Sequence, residues 1–135
     1  MREKEMQYKE YQLEPTSLPL REMTASAVLR LNLSNHVWDV IIVFAYAPKQ
    51  TSMVGEDIDV QLLDYAETPL EMLTRPAGPL VEVGGTRSRS ANAHFRFKAK
   101  QDKPAYLHAT YRNEELRFKI VWSTLLLGIS LSTLL

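Results

Sequence analysis

The chain has 135 residues, 45% of them apolar and 24% charged, with no cysteine and with sixteen basic side chains against sixteen acidic ones. These values exclude a disordered chain, a collagen and a disulfide scaffold, and they fit one globular domain of about 100–200 residues. The even balance hides an asymmetry: residues 1–67 hold six basic and eleven acidic side chains, a net of −5, and residues 68–135 hold ten and five, a net of +5.

Residues 1–24 read as a flexible arm or a strand added to a sheet edge. Charges of both signs crowd Met1–Glu14, its apolar residues keep no helical period, and Pro15 and Pro19 stop any helix. No apolar run follows the charged start, so no secretory signal peptide is expected. A cytoplasmic location follows as the expectation, with membrane association as its variant.

From residue 25 to 122 the signal is β. Ala27, Leu29, Leu31 and Leu33 alternate with Val28, Arg30 and Asn32, the period of a half-buried strand. Ser34-Asn35 marks a turn. Val37–Ala47 carries Trp38, Val40, Ile42, Phe44 and Tyr46 on one face and Val37, Ile41, Val43 and Ala45 on the other, broken only by Asp39. A strand apolar on both faces reads as central and covered on both sides. Asp57–Tyr65 alternates again, with Ile58, Val60 and Leu62 inward. Pro69, Pro76 and Pro79 then predict a long irregular connection, with one helical turn at Leu70–Leu73. Leu80–Val83, Asn92–Lys100, Ala105–Tyr111 and Leu116–Trp122 complete the set, separated by glycine, proline and Arg112-Asn113 turn signals. The pattern predicts an all-β, antiparallel β-sandwich (immunoglobulin-like or jelly-roll-like) of about seven strands, with barrel closure as the alternative. Its core is predicted at Leu29, Leu31, Trp38, Val40, Ile42, Phe44, Ile58, Val60, Leu62, Phe95, Phe97, Leu107, Phe118 and Ile120.

Ile120–Leu135 contains no charge. A sixteen-residue helix reaches ~24 Å, less than the ~30 Å of a bilayer core. Residues 123–135 therefore form the last strand or helix of the core, a membrane-associating tail, or the cut end of a longer apolar segment.

Catalytic signals are missing. His36, His94 and His108 have no metal-ligand spacing, no G-x-S-x-G singles out a serine, and the five glycines form no phosphate loop. Glu56, Asp57, Asp59 and Asp64 form an acidic cluster that could hold Ca²⁺ only with a second loop's oxygens; solvated carboxylates are the simpler reading. No enzyme, cofactor, metal or small-molecule substrate is expected. The positive half suggests a working surface instead. His94, Arg96, Lys98 and Lys100 alternate along one strand face, Arg117 and Lys119 along another, and Arg87 and Arg89 lie in a Ser/Arg loop. If those strands are neighbours, the cations gather into one face for an anionic partner.

Leu31 to Lys49 with Val60-Gln61-Leu62-Leu63 faintly resembles the immunoglobulin-like ear of clathrin-adaptor subunits, and Gly55 to Asp64 with Phe95-Arg96-Phe97-Lys98 faintly resembles the β-core of plant-virus movement proteins. Both stretches are short and differently spaced; they imply a non-catalytic β module and carry over no functional residue. The expectation is an interaction module that binds a protein partner, itself included, or an anionic surface. The alternative is a structural protein of viral type associating with membrane or nucleic acid.

Overall fold

The computed structural model describes residues 8–17, 23–47, 52–84, 89–99 and 103–122. Nine strands run β1 (Tyr8–Ser17), β2 (Met23–Asn32), β3 (Val37–Tyr46), β4 (Ile58–Asp64), β5 (Met72–Thr74), β6 (Val81–Gly84), β7 (Arg89–Lys98), β8 (Pro104–Tyr111) and β9 (Glu114–Val121). The only helical element among the described residues is a 3-10 turn over Gly55–Asp57. All strand pairs are antiparallel, in the order β4-β8-β9-β1-β2-β3-β7-β5, and β6 pairs with β7 as well.

The all-β, antiparallel expectation holds. In its finer form the strands make a nearly closed barrel of nine among the described residues, nearer to the barrel closure given as the alternative than to a two-sheet sandwich of about seven. Two elements account for the difference. Residues 1–24 contain β1, which lies between β2 and β9 in the middle of the path. Pro15 sits where the β1–β9 register shifts, a bulge that tolerates its missing N–H. The connection after β4 contains β5 in place of the expected helical turn.

The path leaves β4 and β7 facing each other, and two short segments bridge them. Pro69 pairs with Leu63 and Leu70 N donates to Leu62 O on the β4 side; two residues on, Met72 pairs with Phe97 of β7. Further along, Gly55 N donates to Gly78 O and Leu80 N to Met53 O, and the chain runs directly into β6 on β7. Arg75 lies between the two bridges. Its guanidinium donates to the carbonyls of Gly55 and Ile58 and pairs with Asp59 at 3.2 Å. Backbone groups left over at the seam thereby find partners.

Inside, large and small residues interdigitate. Phe44 on β3 stands between Ala25 of β2 and Ala91 of β7; Ile42 stands between Ala27 and Ala93. The alanines leave room for the Phe44 ring to meet Tyr111 across the interior at 6.0 Å. Every predicted core residue is buried except Leu31, which is half-buried against the same cluster. Leu13, Met53, Leu70 and Leu80 join them from the arm and the two bridges.

Two predictions follow from the packing. A Cβ on buried Gly55 would stand 2.5 Å from Pro76 O, whereas one on Gly84 would meet nothing within 4 Å. Gly55→Ala is expected to cost about 1–3 kcal/mol in urea unfolding and Gly84→Ala less than about 0.5; equal effects would contradict the close approach at the seam. The second concerns Tyr46, whose hydroxyl donates to Glu82. Burial, with the Glu82 hydrogen bond and charge added, pushes the phenol up to about 12 from its ordinary 10.0. A raised phenol stabilises the fold fully below pH 10 and loses that contribution as pH rises through about 12. Unfolding curves between these limits should fall more steeply for the native chain than for Tyr46→Phe; parallel curves would refute the assignment.

Candidate functional site

The described members of the predicted basic stripe fall on two strands that are not neighbours. Arg89, His94, Arg96 and Lys98 lie on β7, and Arg117 and Lys119 on β9, with β1, β2 and β3 in between. The neighbour condition on which a single cationic face depended is therefore not met. Arg87 and Lys100 lie outside the described residues.

On β7, Arg96 is tied into an alternating ladder with His94 beside it. One row across four strands reads Glu10, Arg30, Asp39, Arg96. Glu10 meets Arg30 at 3.0 Å and Asp39 meets Arg96 at 3.0 Å, with His94 Nε2 3.3 Å from the same Asp39 oxygen. Asp39 is the one buried charged residue among those described. Its carboxylate explains why the polar break in an otherwise apolar strand is tolerated: two cationic neighbours flank it and a nitrogen base stands beside it. Farther along β7, Arg89 meets Glu82 at 3.5 Å and its guanidinium lies over the Tyr46 ring. The Tyr46 hydrogen bond, followed by Arg89 and Ser52, holds the Glu82 carboxyl below its ordinary range against the opposing effect of burial. On β9, Arg117 meets Glu115 at 3.1 Å, and Lys119 stands opposite Glu14.

The acidic cluster is likewise distributed. Glu56 accepts the Gly78 N–H, Asp57 meets Arg112, Asp59 meets Arg75, and Asp64 caps its own turn by accepting the Ala66 and Thr68 amides. Among the described residues no three His, Asp or Glu side chains converge as a metal site. Two grooves open on the outer face of β4, β8, β9 and β1. One of about 540 Å³ lies between Glu14, Tyr65, Tyr106 and Lys119; the other, of about 230 Å³, lies over Asp59, His108 and Arg117.

An apolar outer face is the feature that sequence reasoning assigned differently. β3 is central, as its two apolar faces predicted, but nothing among the described residues covers the outer one. Val37, Ile41, Val43 and Ala45 of β3 and Val28 of β2 are half-exposed there. On the far side of β7, Val81 and Val83 of β6 are 74% and 65% exposed. Register places Val81, Asn92 and Val43 in one row and Val83, Ser90 and Ala45 in the next, so small polar residues of β7 separate the two apolar strips. His94, Arg96 and Lys98 continue β7 beyond them. The signal was present in the sequence as the two-sided β3, but exposure depends on how many layers pack, which period cannot reveal.

No known protein family matches the sequence, and no curated protein or solved structure is significantly similar to it.

The ladder yields a measurable coupling. A double-mutant cycle on Asp39→Asn and Arg96→Gln is expected to return about 0.5–1 kcal/mol in low salt, and less in high salt because Arg96 is partly exposed. A coupling of zero would mean that the two side chains stabilise the sheet independently.

Proposed function

We propose that the chain is a non-catalytic interaction module that binds a protein partner through the outer face of β2, β3, β7 and β6. The observation that carries this reading is the pair Val81 and Val83, the most exposed large aliphatic side chains among the described residues, set beside the half-exposed strip on β3. Two exposed apolar strips one strand apart, with only small polar side chains between them, make a patch of the kind that protein interfaces cover. The border gives the partner its chemistry. Exposed Lys98 flanks the apolar strips on one side, so the complementary surface has an apolar centre and a carboxylate at the rim facing the end of β7. Cations thus contribute orientation, while removal of apolar surface from water supplies most of the affinity.

A photo-crosslinking residue at position 81 or 83 tests the face in cells that make the protein, with position 110 on the outer face of β8 as the control. A discrete adduct is expected from 81 and 83 and not from 110. The isolated partner should then lose at least about tenfold in affinity for the Val81→Asp, Val83→Asp chain, about 1.4 kcal/mol. Both positions are too exposed for the substitutions to unfold the barrel. Equal adducts from the two faces, or an unchanged affinity, would remove the proposal.

A further inference from the structure

We propose that one end of the barrel rests against a lipid bilayer. The end in question is the rim where β1, β3 and β8 begin and where β2, β4, β7 and β9 finish; the antiparallel pairing brings all of these termini together.

Four observations meet at this rim. First, of six exposed large hydrophobic residues among those described, Tyr8, Leu33, Tyr65 and Leu73 lie here, 40–65% exposed. They sit on different elements around the mouth: the start of β1, the β2–β3 turn, the turn after β4, and β5. Because they stand on four separate elements, only a broad surface laid across the mouth touches all of them. Second, the aromatic residues that close the mouth are of the interfacial type. Trp122 packs on Tyr11 at 4.6 Å and on Trp38 at 5.8 Å, and its indole N–H donates to Pro104 O. Tyrosine and tryptophan favour the depth where a bilayer passes from headgroup to acyl chain. Third, Lys9, Lys98 and Lys103 are exposed at the same rim, and the Lys103 ammonium lies over the Trp122 ring. Long cationic side chains there can reach headgroups while apolar neighbours enter the bilayer. Glu67 and Glu71 share the rim, so insertion of apolar groups, rather than net charge, carries the attachment. Fourth, the chain leaves β9 at this end into thirteen successive residues without charge, seven of them leucine or isoleucine. A lipid surface suits both the apolar and aromatic rim and the uncharged sequence that follows β9.

The test is flotation of the full chain with phosphatidylcholine vesicles, with and without phosphatidylserine, at low and high salt. The chain contains two tryptophans, Trp38 and Trp122, and both belong to this end, so brominated phosphatidylcholine reads their distance from the acyl chains. The chain should float with neutral vesicles at both salt concentrations, and brominated lipid should quench its emission. The pair Leu33→Asp and Tyr65→Asp should lower partitioning at least about tenfold with the circular dichroism unchanged, and Val81→Asp should leave it unaltered. The proposal fails if the chain does not float. It also fails if flotation occurs without quenching, if the rim variant partitions like the native chain, or if binding requires phosphatidylserine and disappears in salt. The last result would transfer the contact to the cations of β7.

Discussion

Closure of the seam between β4 and β7 is the constraint on which the rest of the molecule depends. Six antiparallel ladders bring those two strands to the ends of one path, and without further pairing each would present a row of unpaired N–H and C=O groups. The residues between Pro69 and Gly84 bridge the gap twice, each time with one end on the β4 side and the other on β7. Arg75 holds the space between the bridges through two backbone carbonyls and Asp59. An open sheet of this size would expose two edges to other chains. The bridges also deliver Leu70 and Leu80 to the core and set β6 beside β7, which creates the exposed valine pair.

Curvature and surface chemistry are linked through β3. Alanine on both of its neighbours lets Phe44 and Ile42 fill the interior, and the sheet bends around them. The same strand then turns its β-branched outer residues toward solvent, with only Asp39 to break the run. The Glu10–Arg30–Asp39–Arg96 row fixes this face by alternation of charge, and it takes up Arg96, which composition alone would assign to an anionic ligand. A net of +5 over the second half of the sequence therefore does not become a positive surface of that size; the fold mixes the halves by setting β7 against β3 and β9 against β1.

Strand existence and facing were legible wherever period two ran unbroken, as in β2, β3, β4, β7, β8 and β9, because alternation reports directly on a half-buried sheet. β1 was obscured. Its sequence, Tyr-Lys-Glu-Tyr-Gln-Leu-Glu-Pro-Thr-Ser, buries only Leu13, so the hydrophobic signal nearly vanishes and tertiary pairing alone makes it a strand. β5 was obscured by its three-residue length and by the prolines around it, which read as loop. Closure was not legible for the same reason: bridges of one or two residue pairs leave no periodic trace. The basic stripe was legible as alternation on each strand, but the distance between β7 and β9 belongs to topology. The exposed outer face of β3 depended on how many layers pack, with none over that face among the described residues, again a property of the assembled barrel.

Amide hydrogen exchange of the full chain tests the closed barrel most directly. Four N–H groups report on the seam: Gly55, Leu70 and Leu80, which donate across the two bridges, and Lys98, which donates to Glu71 O. Closure predicts that they exchange as slowly as the central amides of β2 and β3, because all would open only with the whole structure. Fast exchange at these four positions, with β2 and β3 still protected, would mean that the seam is open, and the molecule would then be a curved sheet with two free edges.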